Sequence, residues 1–419
     1  MAKKLAYQQK IQLQREAARL FSPRTPIAVA DLFSGRFDQV LKLNATISQP
    51  GAHAIIYGER GVGKTSLANV APITYSLEAK ESLHRIVAPR IACDSTDSFD
   101  SLWRKVFGGI RITSASQPVG YVTGRVDDEI HPLVEDLQPN SLAPSDVLSV
   151  LNDLGKICSL VVTLDEFDRL PKGDVPLLVA DTIKALSDNN VSATIVIVGV
   201  GDSIAELVRG HESIGRHIVE IPLPRMSREE LEKIVEDRLP KLGMTIERSA
   251  LKLISLVCAG LPYYTHLLGQ HAVCKTIFDD KTNVAKEDVN AAMKKAIEDS
   301  EREMKAAYYE ATHSRQPNTF FSSTLAACAL TTHDEFGYFT AASVRQPLGT
   351  IRGTPTDIPD FSSHLERFCK KEKGAILQQI GQKHQRRYRF RDPLMQPFVI
   401  IRSLDDRIIT EEHIKTFAS

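Results

Sequence analysis

The chain has 419 residues, 42% hydrophobic and 25% charged, an ordinary folded composition and more than one hydrophobic core usually organises. Lysine plus arginine equals aspartate plus glutamate at 52 each, so no global excess draws the molecule to nucleic acid or an anionic membrane, and such binding needs a local patch. The six cysteines are scattered without a CxxC pair, and apolar runs such as Ala193 to Gly201 fall short of the roughly 20 residues of a membrane span, which points to reduced thiols in a cytoplasmic protein without membrane association.

At the start of the chain, Lys3, Lys4, Lys10, Arg15 and Arg19 alternate with apolar residues, the pattern of an amphipathic helix over 1–24 rather than a secretory signal. Between 52 and 223, β-rich runs alternate with helical patterns: Ala52 to Tyr57, Ile86 to Cys93, Leu160 to Leu164, Thr194 to Val198 and His217 to Leu223. Near-continuous apolar runs of this length fit strands buried on both faces of a parallel sheet. The expected fold class is α/β, with a five-stranded parallel sheet in a nucleotide-binding domain over 25–226. Residues 109–141, rich in Gly, Ser, Thr and Pro, read as an insertion in it.

Ser227-Arg228-Glu229-Glu230 has the form of a capping box, and helical periodicity follows it, which defines an all-helical segment over 227–312. The remainder, 313–419, carries a Gly353 to Pro359 loop, a helix near Phe361 to Glu372 and two short β-like runs, an order that suggests a winged helix.

The chemistry concentrates at Gly58-Glu59-Arg60-Gly61-Val62-Gly63-Lys64-Thr65, a full GxxxxGK[ST] match after an expected strand and before a helix opening at Ser66. Glycines there let successive backbone N–H groups turn inward around a polyphosphate, and the helix N-terminus adds partial positive charge. Gly58 through Ser66 are thus candidates to hold ATP, with Lys64 reaching the β and γ phosphates and Thr65 ligating Mg2+. Such a loop calls for an acid at the end of a neighbouring strand, and Leu160 to Glu166 supplies two. Asp165 would hold the metal through its water shell, and Glu166 would orient and deprotonate water. Asp168 reads as a turn residue or an ion-pair partner of Arg169.

These residues resemble AAA+ P-loop ATPases of the origin-recognition (initiator) branch and its bacterial relatives, over about residues 25 to 400. The resemblance implies a helical lid at 227–312 and a C-terminal winged helix. Asp31 to Arg36 looks like the segment lying over the adenine, which adds Phe33 and Arg36 to the nucleotide contacts. Sensor 1 falls at Gly199 to Ser203, where Asp202 or Ser203 would meet phosphate or simply end a strand. Ser213-Ile214-Gly215-Arg216 is similar to the segment carrying the arginine finger, so Arg216, with Arg209 a weaker candidate, would reach the neighbouring subunit's γ-phosphate in a homo-oligomer. Gly260-Leu261-Pro262-Tyr263 looks like sensor 2, except that Tyr263 stands where the family has arginine. His266, three residues along, either faces the site or packs as a structural histidine. Trp103, the only tryptophan, reads as core.

From Arg367 to Arg391 nine lysines and arginines stand against one acid, Glu372. The alternation Arg386-Arg387-Tyr388-Arg389-Phe390-Arg391 has strand spacing, which places arginines on one face over packed aromatics. Lys383, Arg386, Arg387, Arg389 and Arg391 are the candidate duplex DNA contacts, since the resembled branch binds DNA there. The two functions carried forward are an ATP-switched DNA-binding ATPase and a signalling ATPase whose winged helix binds a protein effector. A threading motor is a weaker third, because no aromatic-hydrophobic-glycine pore loop follows the second strand.

Overall fold

The computed structural model describes residues 7–23, 26, 35–78, 86–116, 141–200, 215–314, 319–334, 336–382 and 385–417. The chain forms two compact units, one of Pro26–Gly58 with Gly63–Leu223, the other of Met1–Thr25, Glu59–Val62 and Pro224–Ser419.

Helix α1 (Tyr7–Leu20) opens the second unit. The first unit runs α2 (Phe37–Ile47), β1 (His53–Tyr57), α3 (Lys64–Glu78), β2 (Ile86–Val87), β3 (Arg90–Ala92), α4 (Phe99–Ser116), α5 (Pro144–Gly155), β4 (Ser159–Asp165), α6 (Asp174–Asp188), β5 (Ala193–Gly199) and β6 (Ile218–Pro222). All strand pairs are parallel, in the order β2, β4, β5, β1, β6, with β3 also pairing β4.

Five positions of the sheet are filled as the sequence leads one to expect, but by six strands. The run from Ile86 to Cys93 breaks at Pro89, which has no N–H for the ladder and instead offers its carbonyl to Thr163 N at 2.9 Å. Strand β5 is buried along its whole length, which is why its sequence is apolar without alternation. His53 on β1 is also buried, accepts from Ile195 N at 2.9 Å through Nδ1, and is pushed down to a pKa of about 3 by desolvation, so its ring is neutral. Trp103 is fully buried on α4 between Phe99 and Phe107, at ring separations of 6.2 and 6.0 Å.

Helix α4 continues through Gly108 and Gly109 to Ser116, into the stretch expected from the sequence to be an insertion. Gly109 permits close approach rather than breaking the helix, since a Cβ there would stand 3.0 Å from Ile91 Cδ1 and 3.1 Å from Pro89 Cβ. Residues 117–140 lie outside the described residues.

In the second unit the chain continues as α7 (Arg228–Glu236), β7 (Thr245–Ile246), α8 (Arg248–Val257), α9 (Pro262–Phe278), β8 (Asn283–Val284), α10 (Lys286–Asp299) and α11 (Arg302–Thr312). Ser227 Oγ accepts from Glu230 N at 3.2 Å while the Glu230 carboxylate accepts from Ser227 N at 2.8 Å, the reciprocal cap read from the sequence. Then come α12 (Phe321–Leu330), β9 (Phe339–Thr340), α13 (Ala341–Arg352), α14 (Ile358–Phe368), β10 (Leu377–Ile380), β11 (Arg387–Phe390), α15 (Met395–Asp405) and α16 (Glu411–Phe417). Strands β10, β11 and β9 form an antiparallel sheet in that order. One continuous core joins Ala17 and Phe21 to residues as far as Ile414. Phe21 seats against Gly269 of α9, where a Cβ would lie 2.6 Å from the ring. Lys10 pairs with Asp280 at 2.9 Å, and buried Arg238 donates to Leu20 O at 2.9 Å.

Candidate functional site

Within the first unit, β1 delivers the chain to Gly58, and α3 begins at Lys64. Gly63 has φ +99°, in the region that favours glycine, and nothing lies within 4 Å of where its Cβ would be, so conformation rather than space demands glycine here. Lys64 Nζ donates to Gly58 O at 2.9 Å, closing the loop on itself.

Thr65 Oγ1 donates to Asp165 Oδ1 at 3.3 Å, across 100 residues of sequence. The two expected metal ligands therefore meet, at the first turn of α3 and the end of β4. Asp165 is buried, accepts from Glu166 N at 2.9 Å and has Arg90 Nη1 at 3.7 Å from its other oxygen. A hydroxyl and a buried carboxylate in contact at a helix N-terminus are the donor set of a hard divalent cation beside phosphate, so these residues fit magnesium and a nucleotide polyphosphate.

Glu166 has φ +54°, a left-handed conformation, and its side chain is exposed. Its Oε2 accepts from Arg169 Nη1 at 2.7 Å. Asp168, read as a turn residue or a partner of Arg169, sits in the turn after β4, where its Oδ1 accepts from Val200 N at 3.2 Å and ties the end of β4 to the end of β5. Cys93, beside Asp97 and Asp165, is pushed up to about 12 mainly by burial and is not a nucleophile at neutral pH.

The tip of the phosphate loop, Glu59–Val62, belongs to the second unit. The Glu59 carboxylate, 8% exposed, accepts from Arg225 Nε at 2.5 Å and Nη2 at 3.1 Å. Arg225 Nη1 also donates to Ala259 O at 3.0 Å and to Gln396 Oε1 at 2.5 Å, and Gln396 Nε2 donates to Ala329 O at 2.7 Å. Arg60 lies 3.9 Å from Asp392, and a Cβ on Gly61, at φ +88°, would touch Leu394 at 3.0 Å. Sequence reasoning missed Arg225 and Gln396, for neither sits in a motif. The Glu59 side chain is thus bonded to Arg225, and Val62 is buried.

Arg36 is buried at φ +61° and caps the start of α2, while Phe33, Asp202, Ser203 and Arg209 lie outside the described residues. Arg216 is exposed in the turn before β6. Tyr263 starts α9 edge-on to Tyr264, with ring centroids 5.3 Å apart. His266 is buried edge-on to Phe21 at 6.3 Å and burial holds its pKa near 3, so of its two roles the structure gives the packing one.

On β11, Tyr388 and Phe390 are buried at 3% each while Arg387 and Arg389 point away from them, as the alternation leads one to expect. The charge is less open than the sequence suggests. Arg386 is ion-paired with Glu366, and Arg387 pairs with Asp334 at 3.0 Å. Arg389 stacks over Tyr338 at 4.5 Å, and Arg391 Nε donates to Ala375 O at 3.0 Å. Lys373 is buried, donating to His313 O, and so leaves the surface charge altogether. Lys383 lies outside the described residues.

A parallel sheet ordered β2, β4, β5, β1, β6, with a phosphate loop after β1 and paired acids after β4, is an AAA+ initiator-like fold. Over 93% of its length the chain is similar to the Aeropyrum pernix ORC2 protein (ADPNP-ADP complexes), covering 97% of that chain at TM-score 0.50 and 16% identity. Over 91% it is similar to the Walker-type ATPase PABY2304 of Pyrococcus abyssi, covering 99% of that chain at TM-score 0.51 and 16% identity. No family model and no curated protein sequence matches the chain.

Proposed function

We propose that this protein is an ATP-hydrolysing AAA+ switch that assembles through Arg216 and binds duplex DNA through a C-terminal winged helix. The observation that carries the ATPase is the meeting of Thr65 and Asp165 at 3.3 Å beside a glycine-bent loop closed by Lys64. Both solved structures of similar fold point the same way by their descriptions, one as ADPNP-ADP complexes and the other as a Walker-type ATPase.

In this account the backbone N–H groups from Glu59 to Thr65 and the Lys64 ammonium hold the phosphates, and Thr65 and Asp165 hold magnesium. Bound magnesium would supply charge neutralisation at the transferring phosphoryl group. Glu166 positions the attacking water and accepts its proton, and Arg216 offers a guanidinium to a neighbouring copy's site. We assign 25–226 to the nucleotide-binding domain, 227–312 to the lid and 313–419 to the winged helix; helices α12, α13 and α14 with the three-strand sheet support the last.

One observation favours the alternative, in which the winged helix docks a protein effector: Arg386 and Arg387 already have carboxylate partners. Cations neutralised within the chain release fewer counterions from DNA. The deciding experiment measures ATP turnover and duplex affinity of the wild type and Glu166→Gln. The ATPase assignment expects Glu166→Gln to keep magnesium-dependent ATP affinity and lose turnover. Absence of nucleotide affinity in folded wild type defeats it, and duplex affinity insensitive to salt defeats the DNA assignment alone.

A further inference from the structure

The carboxylate of Glu59 is held through both oxygens by Arg225, which comes from elsewhere in the second unit. Arg225 follows the strand-to-helix junction at Pro224, and its guanidinium makes four hydrogen bonds: two to Glu59, one to Ala259 O and one to Gln396. Glycines make room for it on both sides. A Cβ at Gly260 would lie 2.6 Å from Arg225 Cβ, and one at Gly337 would lie 1.9 Å from Glu59 Oε1. The turn from β11 into α15 approaches the same tip, with Asp392 at 3.9 Å from Arg60 and Leu394 against Gly61.

We propose that Arg225 is a positioning residue that fixes the phosphate-loop tip through Glu59 and makes its conformation depend on the start of helix α15 through Gln396. This rests on the ATP assignment above. A planar guanidinium bonded on three sides has one orientation that satisfies all its partners, so displacement of Gln396 must shift Arg225, and with it Glu59. Because Glu59 is buried, losing Arg225 takes two charge-assisted hydrogen bonds from a carboxylate shielded from water, which destabilises this placement of the loop tip. Strand β11, with its arginines, runs directly into α15 through Asp392 to Leu394, so a partner that moves β11 is felt at the loop that holds phosphate.

The test is calorimetric titration of the full chain with magnesium and a slowly hydrolysed ATP analogue, for wild type, Glu59→Gln, Gln396→Ala, the double variant and Gln396→Glu, each with its thermal midpoint. Gln396→Ala, which does not touch Glu59 directly, is expected to weaken binding about tenfold. The double variant should bind no more weakly than the worse single variant, because both act through Arg225. Gln396→Glu, which keeps an acceptor for Arg225 but gives up the bond to Ala329 O, should bind as wild type does. Wild-type affinity in Gln396→Ala, losses that multiply in the double variant, or equal losses in Gln396→Glu and Gln396→Ala each overturn the proposal while the ATP assignment stands. No binding by folded wild type removes the ATP assignment, and this proposal with it.

Discussion

Arg169 reaches back three residues to hold Glu166, its Nη1 lying 2.7 Å from Oε2, so the acid proposed to activate water already has a cation on one oxygen. Both side chains are more than half exposed, at 56% and 52%, so the pair itself contributes little stability. It competes instead with water for the carboxylate. Arg169→Ala is expected to leave ATP affinity within about twofold and raise kcat by roughly two- to fivefold, since exposed pairs are worth up to about 1 kcal/mol. Steady-state ATPase measurement decides, and a fall in kcat would make Arg169 an orienting partner rather than a competitor.

Arg216 stands exposed ahead of β6. If it completes a neighbour's site, Arg216→Ala and Lys64→Ala are each inactive alone, yet a mixture regains part of the wild-type turnover. The mixture contains interfaces with both groups intact. A mixture as inactive as its components shows that Arg216 acts within its own chain or not at all.

Glu366 neutralises Arg386 at the edge of the C-terminal sheet. Glu366→Gln releases that guanidinium, so duplex affinity should rise and the slope of log affinity against log salt should steepen by up to about one. Arg387→Ala should weaken binding only slightly, because Asp334 already compensates Arg387. Fluorescence anisotropy across a salt series measures both, and unchanged slopes in all variants argue for a protein partner.

Four histidines are held neutral by burial: His53, His266 and His333 at about 3, and His364 at about 4. In the unfolded chain each titrates near 6.5, so between that pH and their folded values the unfolded chain binds more protons. Stability therefore falls as pH drops below about 6.5, by up to roughly 1.4 kcal/mol per pH unit for each group. Thermal midpoints that stay flat from pH 7 to pH 5, above the range of ordinary carboxylates, contradict this.

The parts of the site legible in the sequence were local. Gly58 to Thr65 and Leu160 to Glu166 each carry their own strand and loop signals within a few residues, and their contact follows from any parallel sheet that places β4 near β1. What escaped was the chemistry between distant positions. Arg225 meets Glu59 across 166 residues and Gln396 across 171, and no periodicity encodes such a pair. The acids that compensate Arg386 and Arg387 lie 20 and 53 residues away, so the local count of charge overstated the exposed positive surface. Pro89 and Gly109 misled in opposite directions. Ile86 to Cys93 reads as one strand, yet Pro89 divides it, and Gly109 reads as a break, yet it lets helix α4 pass close to Pro89.

Phe21 fills the notch that α9 leaves by having no side chain at Gly269. The notch and its plug are separated by most of the polypeptide, so during synthesis the helical layer emerges with a hydrophobic hole that a segment made long before it must close. A polypeptide shortened to begin after Phe21 would keep every motif of the phosphate site and yet present that hole to solvent, which makes the first two dozen residues a poor place to trim.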